Sequence, residues 1–335
     1  MPSLLERIGV ELPVVQAGMG GGLSRHELAA AVSEAGGLGT IAVGGAAAIR
    51  RELAAARALT GRPLAVNLLL PFARREWFEA AAEADVVVTF WGRPRRRTPG
   101  VWLHQCGSVA EMREAQAAGA DGAIVQGVEA GGHVRGTVPA LQLLEQARAA
   151  LPAEYPLLLA GGVAEPGDVR AALEAGASAA VAGTRFLLSE ESRAHSGYKQ
   201  RLVEARETIL TELFGAGWPA PHRVVPNAAT ERWLGGVRPL FGAHGTKDER
   251  LLVRAPPANR ALNRLLAPGA RYVPPSLQLG MMRRQRPGSR LLTPAGPTDD
   301  GPANLLDSGA LYAGETVRRI DTVRPAAELV RELAG

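Results

Sequence analysis

This 335-residue chain predicts an α/β fold, a TIM (β/α)8 barrel, on three observations. Eight short apolar runs alternate with helical patterns along residues 14–188. The runs are apolar throughout instead of at every second residue, as strands covered by helices must be. Three of the intervening helices end in the same phrase, AGG or AGA at 35–37, 118–120 and 175–177, where a glycine C-cap belongs. Strands alternating with helices imply a parallel sheet, and eight such units close a barrel.

The elements follow in order. VVQAG (14–18) leads through GMGGG to SRHELAAAVSEAGG, where Ser24 is placed to cap the helix and Glu27, three residues on, completes a capping box. GTIAVG (39–44) precedes AAAIRRELAAARALTG, and LAVNLLL (64–70) precedes a helix near Arg74–Glu83. VVVTFW (86–91), VWLHQCG (101–107), GAIVQG (122–127), PLLLAGG (156–162) and SAAVAGTRFLL (178–188) complete the set. The rival is a doubly wound sheet, because GMGGGLS after the first strand looks like a dinucleotide loop. The second strand, however, ends TIAVGG with no Asp or Glu to hold a ribose.

The composition is that of a soluble, cytoplasmic protein: 46% apolar, 21% charged, formal charge +5. One cysteine, Cys106, excludes an internal disulfide and a Cys-rich metal site. No uncharged run is long enough to span a bilayer, and the N-terminus lacks a signal pattern. Arginines gather at 93–97 and 283–290 without aromatic interleaving or zinc-finger spacing, so neither nucleic acid nor membrane is an expected partner.

Barrel active sites lie at the C-terminal ends of the strands, with phosphate often held after strands seven and eight. Those loops here are LLLAGGVAEPGD and AVAGTRF, in which Gly161, Gly162, Gly183 and Thr184 expose backbone N–H groups beside a helix N-terminus. The other strand ends offer Gln16, Asn67, Trp91, His104 or Gln105, Gln126 and, after two glycines, His133, with Glu129 as the acid nearest the mouth. Paired carboxylates, a Ser/His/Asp set and metal-ligand spacing are all missing from this group. Amides, open backbone and one histidine suit an organic cofactor that brings its own reactivity.

These residues resemble the nitronate monooxygenase (2-nitropropane dioxygenase-like) family of FMN-dependent TIM barrels. The likeness runs through VVQAGMGGGLSRHELAAAVSEAGGLGTI, LAVNLLLPF, GAIVQGVEAGGHVRG, LLLAGGV and AVAGTRFL, and more weakly through WPAPHRVVPNAATERW and LYAGETVRRIDTVRPAAELV. It implies FMN contacts at Gly18, Met19, Asn67, Gln126, Gly131, Gly162, Gly183 and Thr184, and His133 as the base. It also implies a small-molecule substrate and O2. An imidazole titrating near neutrality would take a proton from the carbon beside a nitro group. Two alternatives stand beside this oxygenase reading. One is an NAD(P)H-dependent FMN enoyl-thioester reductase, and the other a non-catalytic FMN-binding protein.

Two departures from the family pattern complete the expectations. Between strands four and five, RPRRRTPG leaves a truncated crossover with no room for a helix. A Pro- and Arg-rich insertion over 245–310, with little helical period beyond NRALNRLL, separates a barrel over 1–240 from a returning 310–335. Strands four and five then need cover. Either Leu251, Leu252, Leu262, Leu265 and Leu266 of the insertion supply it, or a second copy in a homodimer does.

Overall fold

The computed structural model describes residues 2–235 and 250–335. It divides into two compact units, one of residues 1–130, 135–193 and 322–335, the other of 131–134 and 194–321. The sequence places boundaries near 240 and 310, and residues 236–249 lie outside the described part.

The first unit is the barrel. Its strands are β1 (Val14–Gln16), β2 (Gly39–Ile41), β3 (Leu64–Leu69), β4 (Val86–Phe90), β5 (Val101–Cys106), β6 (Gly122–Gln126), β8 (Leu157–Ala160) and β9 (Ala179–Ala182). All eight coincide with the predicted runs. They pair in parallel in the order β1-β9-β8-β6-β5-β4-β3-β2. A parallel bridge from Val15 to Leu38 closes the ring, with Gln16 N–H donating to the Leu38 carbonyl at 2.9 Å. Val15, Leu38, Ala65, Val88, Leu103, Ile124, Leu158 and Val181 fill the inside. Val14, Trp102, Cys106, Val125, Leu157 and Leu159 face the helices outside. Both faces are therefore apolar, which is why the strands do not alternate.

The three predicted glycine stops hold. Gly36, Gly119 and Gly176 have φ of 96, 86 and 91°. The next N–H in each case reaches back to close a Schellman turn: Gly37 to Val32, Ala120 to Ala115, Ala177 to Ala172. The Ser24 cap does not hold. The helix begins at His26 with Arg25 at the cap position, because the buried Ser24 hydroxyl accepts the Met19 N–H at 3.0 Å and so staples the loop after β1.

No helix joins β4 to β5. The loop covers itself: Pro94 and Thr98 are buried, Arg97 lies 5.0 Å over the Phe78 ring, and Arg96 donates to Asp121 at 2.7 Å and to the Gly100 carbonyl at 3.1 Å. The leucines expected to act as a shield are not buried. Leu251, Leu265 and Leu266 are 40%, 75% and 38% exposed, because helix Pro257–Leu266 turns Asn259 and Asn263 inward, Asn259 donating to the Arg290 carbonyl at 3.0 Å. The insertion is also more helical than its prolines suggest. Pro257 and Pro275 each open a helix, Pro257–Leu266 and Pro275–Arg284, at the position where a missing N–H costs nothing.

The second unit contains a three-stranded antiparallel sheet, β10 (Ile209–Thr211), β11 (His222–Val224) and β7 (Gly132–His133), in that order. Its core is built from Leu213, Phe214, Val224, Ala229, Leu234, Ala255, Leu292 and Ala310. Among the described residues no helix is long and apolar enough to cross a membrane.

Candidate active site

Side chains alternate along a strand, so register decides which strand-end residues face the barrel interior. Asn67 shares the face of Ala65, Gln105 that of Leu103, and Gln126 that of Ile124. Three carboxamides therefore crown β3, β5 and β6. Between His104 and Gln105, the sequence left a choice that register makes. His104 points outward with Trp102 and Cys106, its Nδ1 2.7 Å from the Thr89 hydroxyl, and burial pushes its pKa down to about 4. Gln16 also leaves the site, since its side-chain oxygen accepts the Thr40 N–H at 2.8 Å and clamps β1 to β2.

The glycine loops have local reasons of their own. A Cβ on Gly18 would lie 2.4 Å from the Asn67 Cβ, so Gly18 is where the first loop rests on the Asn67 side chain. Met19 packs on the outer core while its N–H is held by Ser24. Gly161 and Gly162 have φ of 110 and 78°, left-handed conformations that demand glycine. Gly183 caps the short helix Thr184–Leu187, a Cβ on it would lie 3.6 Å from the Ala17 Cβ, and Thr184 is buried. The structure thus gathers Gly18, Asn67 and Gly183 around the end of β1. Two expected features are different. Asp168 accepts the N–H groups of Ala164 and Glu165 at 2.8 and 2.9 Å, so the helix after β8 already has an anion at its N-terminus. Glu129 accepts the Ala140 N–H at 2.9 Å and caps helix Ala140–Ala150. The acid nearest the mouth thus serves as a cap.

In the second unit, the glycine pair before His133 is explained by packing. A Cβ on Gly131 would sit 2.5 Å from the Gly314 nitrogen and 2.6 Å from the Ala313 carbonyl carbon. Gly132 has φ 71° and pairs with Arg223 while His133 pairs with His222. The His133 ring stacks on Trp218, with centroids 3.7 Å apart and planes at 23°. His222 and Tyr312 stand at 5.4 and 5.5 Å. The His222 tautomer is fixed: Nδ1–H donates to the Ala220 carbonyl at 2.9 Å and Nε2 accepts the Phe214 N–H at 3.2 Å. Burial, and then His222, hold the His133 pKa well below 6.5. This corrects the expectation of a ring titrating near neutrality. At pH 7 the imidazole is in its neutral, proton-accepting form.

Two features escape a linear reading. Trp91, at the end of β4, has φ 61°, and nothing in VVVTFWG announces it. His26, Glu27 and Glu52 bring ligand-type atoms within 4.8 Å of one another, but Arg193 pairs with Glu27 at 2.9 Å and Arg51 with Glu52 at 3.0 Å. The arginines account for that cluster as an ion-pair network.

Comparison with known proteins gives a consistent result. The family model described as nitronate monooxygenase matches residues 2–91 and 95–249. A nitronate monooxygenase of Pseudomonas aeruginosa is 34% identical over 298 residues, 70% of this chain and 82% of that protein. An octahydro-1H-indene-4-carboxyl-CoA dehydrogenase of Mycobacterium tuberculosis is 32% identical over 256 residues, 70% of this chain and 69% of that one. Among solved structures, FabK from Thermotoga maritima superposes with a TM-score of 0.74 at 25% identity, covering 99% of this chain and 95% of its own. Nitroalkane oxidase from Streptomyces ansochromogenes gives 0.71 at 30% identity, covering 99% and 97%.

Proposed function

The chain belongs to the nitronate monooxygenase family and is a flavin-linked oxidoreductase, and from that premise we propose that it binds FMN and oxidises a nitronate or nitroalkane with O2. The observation that carries the reading is His133, held neutral against Trp218 in a pocket of aromatic rings. A carbon acid needs a base that is unprotonated at working pH, and this ring is one. Burial makes it a reluctant base on its own. The anion left on the substrate offsets that cost, since an opposite charge beside an imidazolium favours the charged form. His133 thus suits a reaction in which proton transfer creates an adjacent anion.

The barrel unit fits a flavin. Asn67, Gln105 and Gln126 present amides, each with donors and acceptors matching the amide-like edge of an isoalloxazine. Gly18, Met19, Gly161 and Gly162 would line the group, and Gly183 and Thr184 would meet its phosphate with backbone N–H and hydroxyl. When bound, FMN supplies the two-electron chemistry and the reaction with O2. The protein's share is to hold the substrate, take the proton and keep competing water out.

A second reading is an NAD(P)H-dependent reductase of enoyl thioesters. The likeness to FabK and to a carboxyl-CoA dehydrogenase favours it. So does the segment 250–290, which has nine arginines and no Asp or Glu and would attract a phosphate-bearing carrier. An anaerobic mixing experiment separates the two. Flavin reduced by a nitronate alone supports the oxidase, and flavin reduced only by NAD(P)H supports the reductase.

A further inference from the structure

The end of β4 stores backbone strain. Trp91 is the one non-glycine with a positive φ among the described residues, at 61°. A bulky side chain in the left-handed region is a true outlier, and such residues persist only where their surroundings over-determine them, commonly at ligand sites. The next residue, Gly92, is also left-handed, at 83°. Two successive left-handed residues are met at lowest cost by Asn-Gly. The turn itself therefore does not call for an indole.

What surrounds the indole is specific. The Arg135 guanidinium carbon lies 4.6 Å from the Trp91 ring centroid. Arg135 is itself pinned at the barrel mouth. Its N–H donates to the Gln126 side-chain oxygen at 2.9 Å, and its guanidinium pairs with Glu111. Gly107 lacks a side chain because the Arg135 carbonyl carbon would be 2.4 Å from its Cβ. The Arg135 side chain is still 30% exposed. An apolar plane backed by a cation thus stands at the reactive end of the barrel, joined through Arg135 to Gln126, one of the three amides.

We propose that Trp91 and Arg135 form a recognition shelf for the substrate, selecting a small planar anion of the nitronate or carboxylate class. The indole holds the flat apolar side of the ligand and the guanidinium meets its charge. This inference rests on the oxidase reading above. The strain at Trp91 is what the fold gives up to place the ring there.

Trp91→Gly and Trp91→Asn remove the ring and relieve the strain, while Trp91→Phe keeps an aromatic plane. Three quantities are read for each: melting temperature, FMN affinity by fluorescence titration, and steady-state constants with propyl nitronate. The shelf predicts that the Gly and Asn variants melt at or above the native temperature and bind FMN within about threefold. Their KM should rise about 3- to 30-fold with kcat little changed, and the Phe variant should recover most of the loss. Gly and Asn variants that unfold or melt lower with an unaltered KM would make Trp91 a packing residue and overturn the proposal. A native protein that takes FMN and turns over nitronate, but whose Trp91 variants keep its KM, sinks the shelf alone. A native protein that does neither sinks the functional reading beneath it.

Discussion

Replacing Gly131 by alanine decides whether the glycine pair before His133 serves packing or ligand approach. The added Cβ would lie 2.5 Å from the Gly314 nitrogen and 2.6 Å from the Ala313 carbonyl carbon. Ordinary contact is near 3.5 Å, so about 1 Å of overlap must be absorbed. The obstacle is backbone, not the end of a flexible side chain. The two-residue ladder between β7 and β11 then has to shift, at the upper part of the roughly 1–3 kcal/mol that overpacking costs. Gly132→Ala differs in kind. Nothing stands within 4 Å of its Cβ, but φ is 71°, and a left-handed alanine costs about 1–2 kcal/mol. At roughly 2–4 °C per kcal/mol, thermal unfolding followed by circular dichroism should rank the variants native, Gly132→Ala, Gly131→Ala. Gly20→Ala, with open space and no positive φ, serves as the unshifted control. A Gly131→Ala protein that melts like the native one yet has lost flavin affinity would refute the packing explanation and restore the glycine as a ligand-approach residue.

Further expectations concern His133, acid stability and Glu129. His133→Asn should keep FMN and slow turnover of a neutral nitroalkane by about 10²–10⁴, but slow a pre-formed nitronate much less; equal losses on both would remove the base role. His104 and His222 have pKa values lowered from 6.5 to about 4, and His133 is lowered too, so the unfolded chain takes up protons that the folded chain refuses. Their contribution to stability is therefore complete above about pH 6.5 and shrinks as pH falls toward 4, by on the order of 3 kcal/mol for each of His104 and His222. Urea midpoints measured across this range should fall with pH, and a flat profile would contradict buried neutral rings. Glu129→Ala should cost about 0.5–2 kcal/mol through the lost cap on helix Ala140–Ala150 and leave kcat nearly intact; an unchanged melting temperature with activity gone would make Glu129 chemical after all.

Whatever depends on local pattern was legible in the sequence. The eight strands are continuous apolar runs because both their faces are covered, and the three Gly stops follow from a left-handed turn that only glycine takes easily. The missing crossover could be read from RPRRRTPG, since two prolines forbid the helix. What depends on distant partners was not legible. Gly131 owes its identity to residues 313–314, some 180 positions away. Ser24 looked like a cap because the hydroxyl's competing partner, Met19 N–H, depends on how the loop folds back. His104 and Gln105 are neighbours in sequence and lie on opposite faces, a distinction that only register supplies. The depressed His133 pKa comes from burial and then His222, with Trp218, His222 and Tyr312 reaching the ring from two distant segments, 218–222 and 312.

The most direct test of an FMN-dependent oxidase of carbon acids is one anaerobic stopped-flow trace. The purified, FMN-loaded protein is mixed with propyl nitronate in the absence of any pyridine nucleotide. The yellow flavin absorbance should bleach in a single turnover and return when air is admitted. A band that persists with the nitronate and bleaches only when NADH or NADPH is added would contradict the oxidase reading in favour of the thioester reductase.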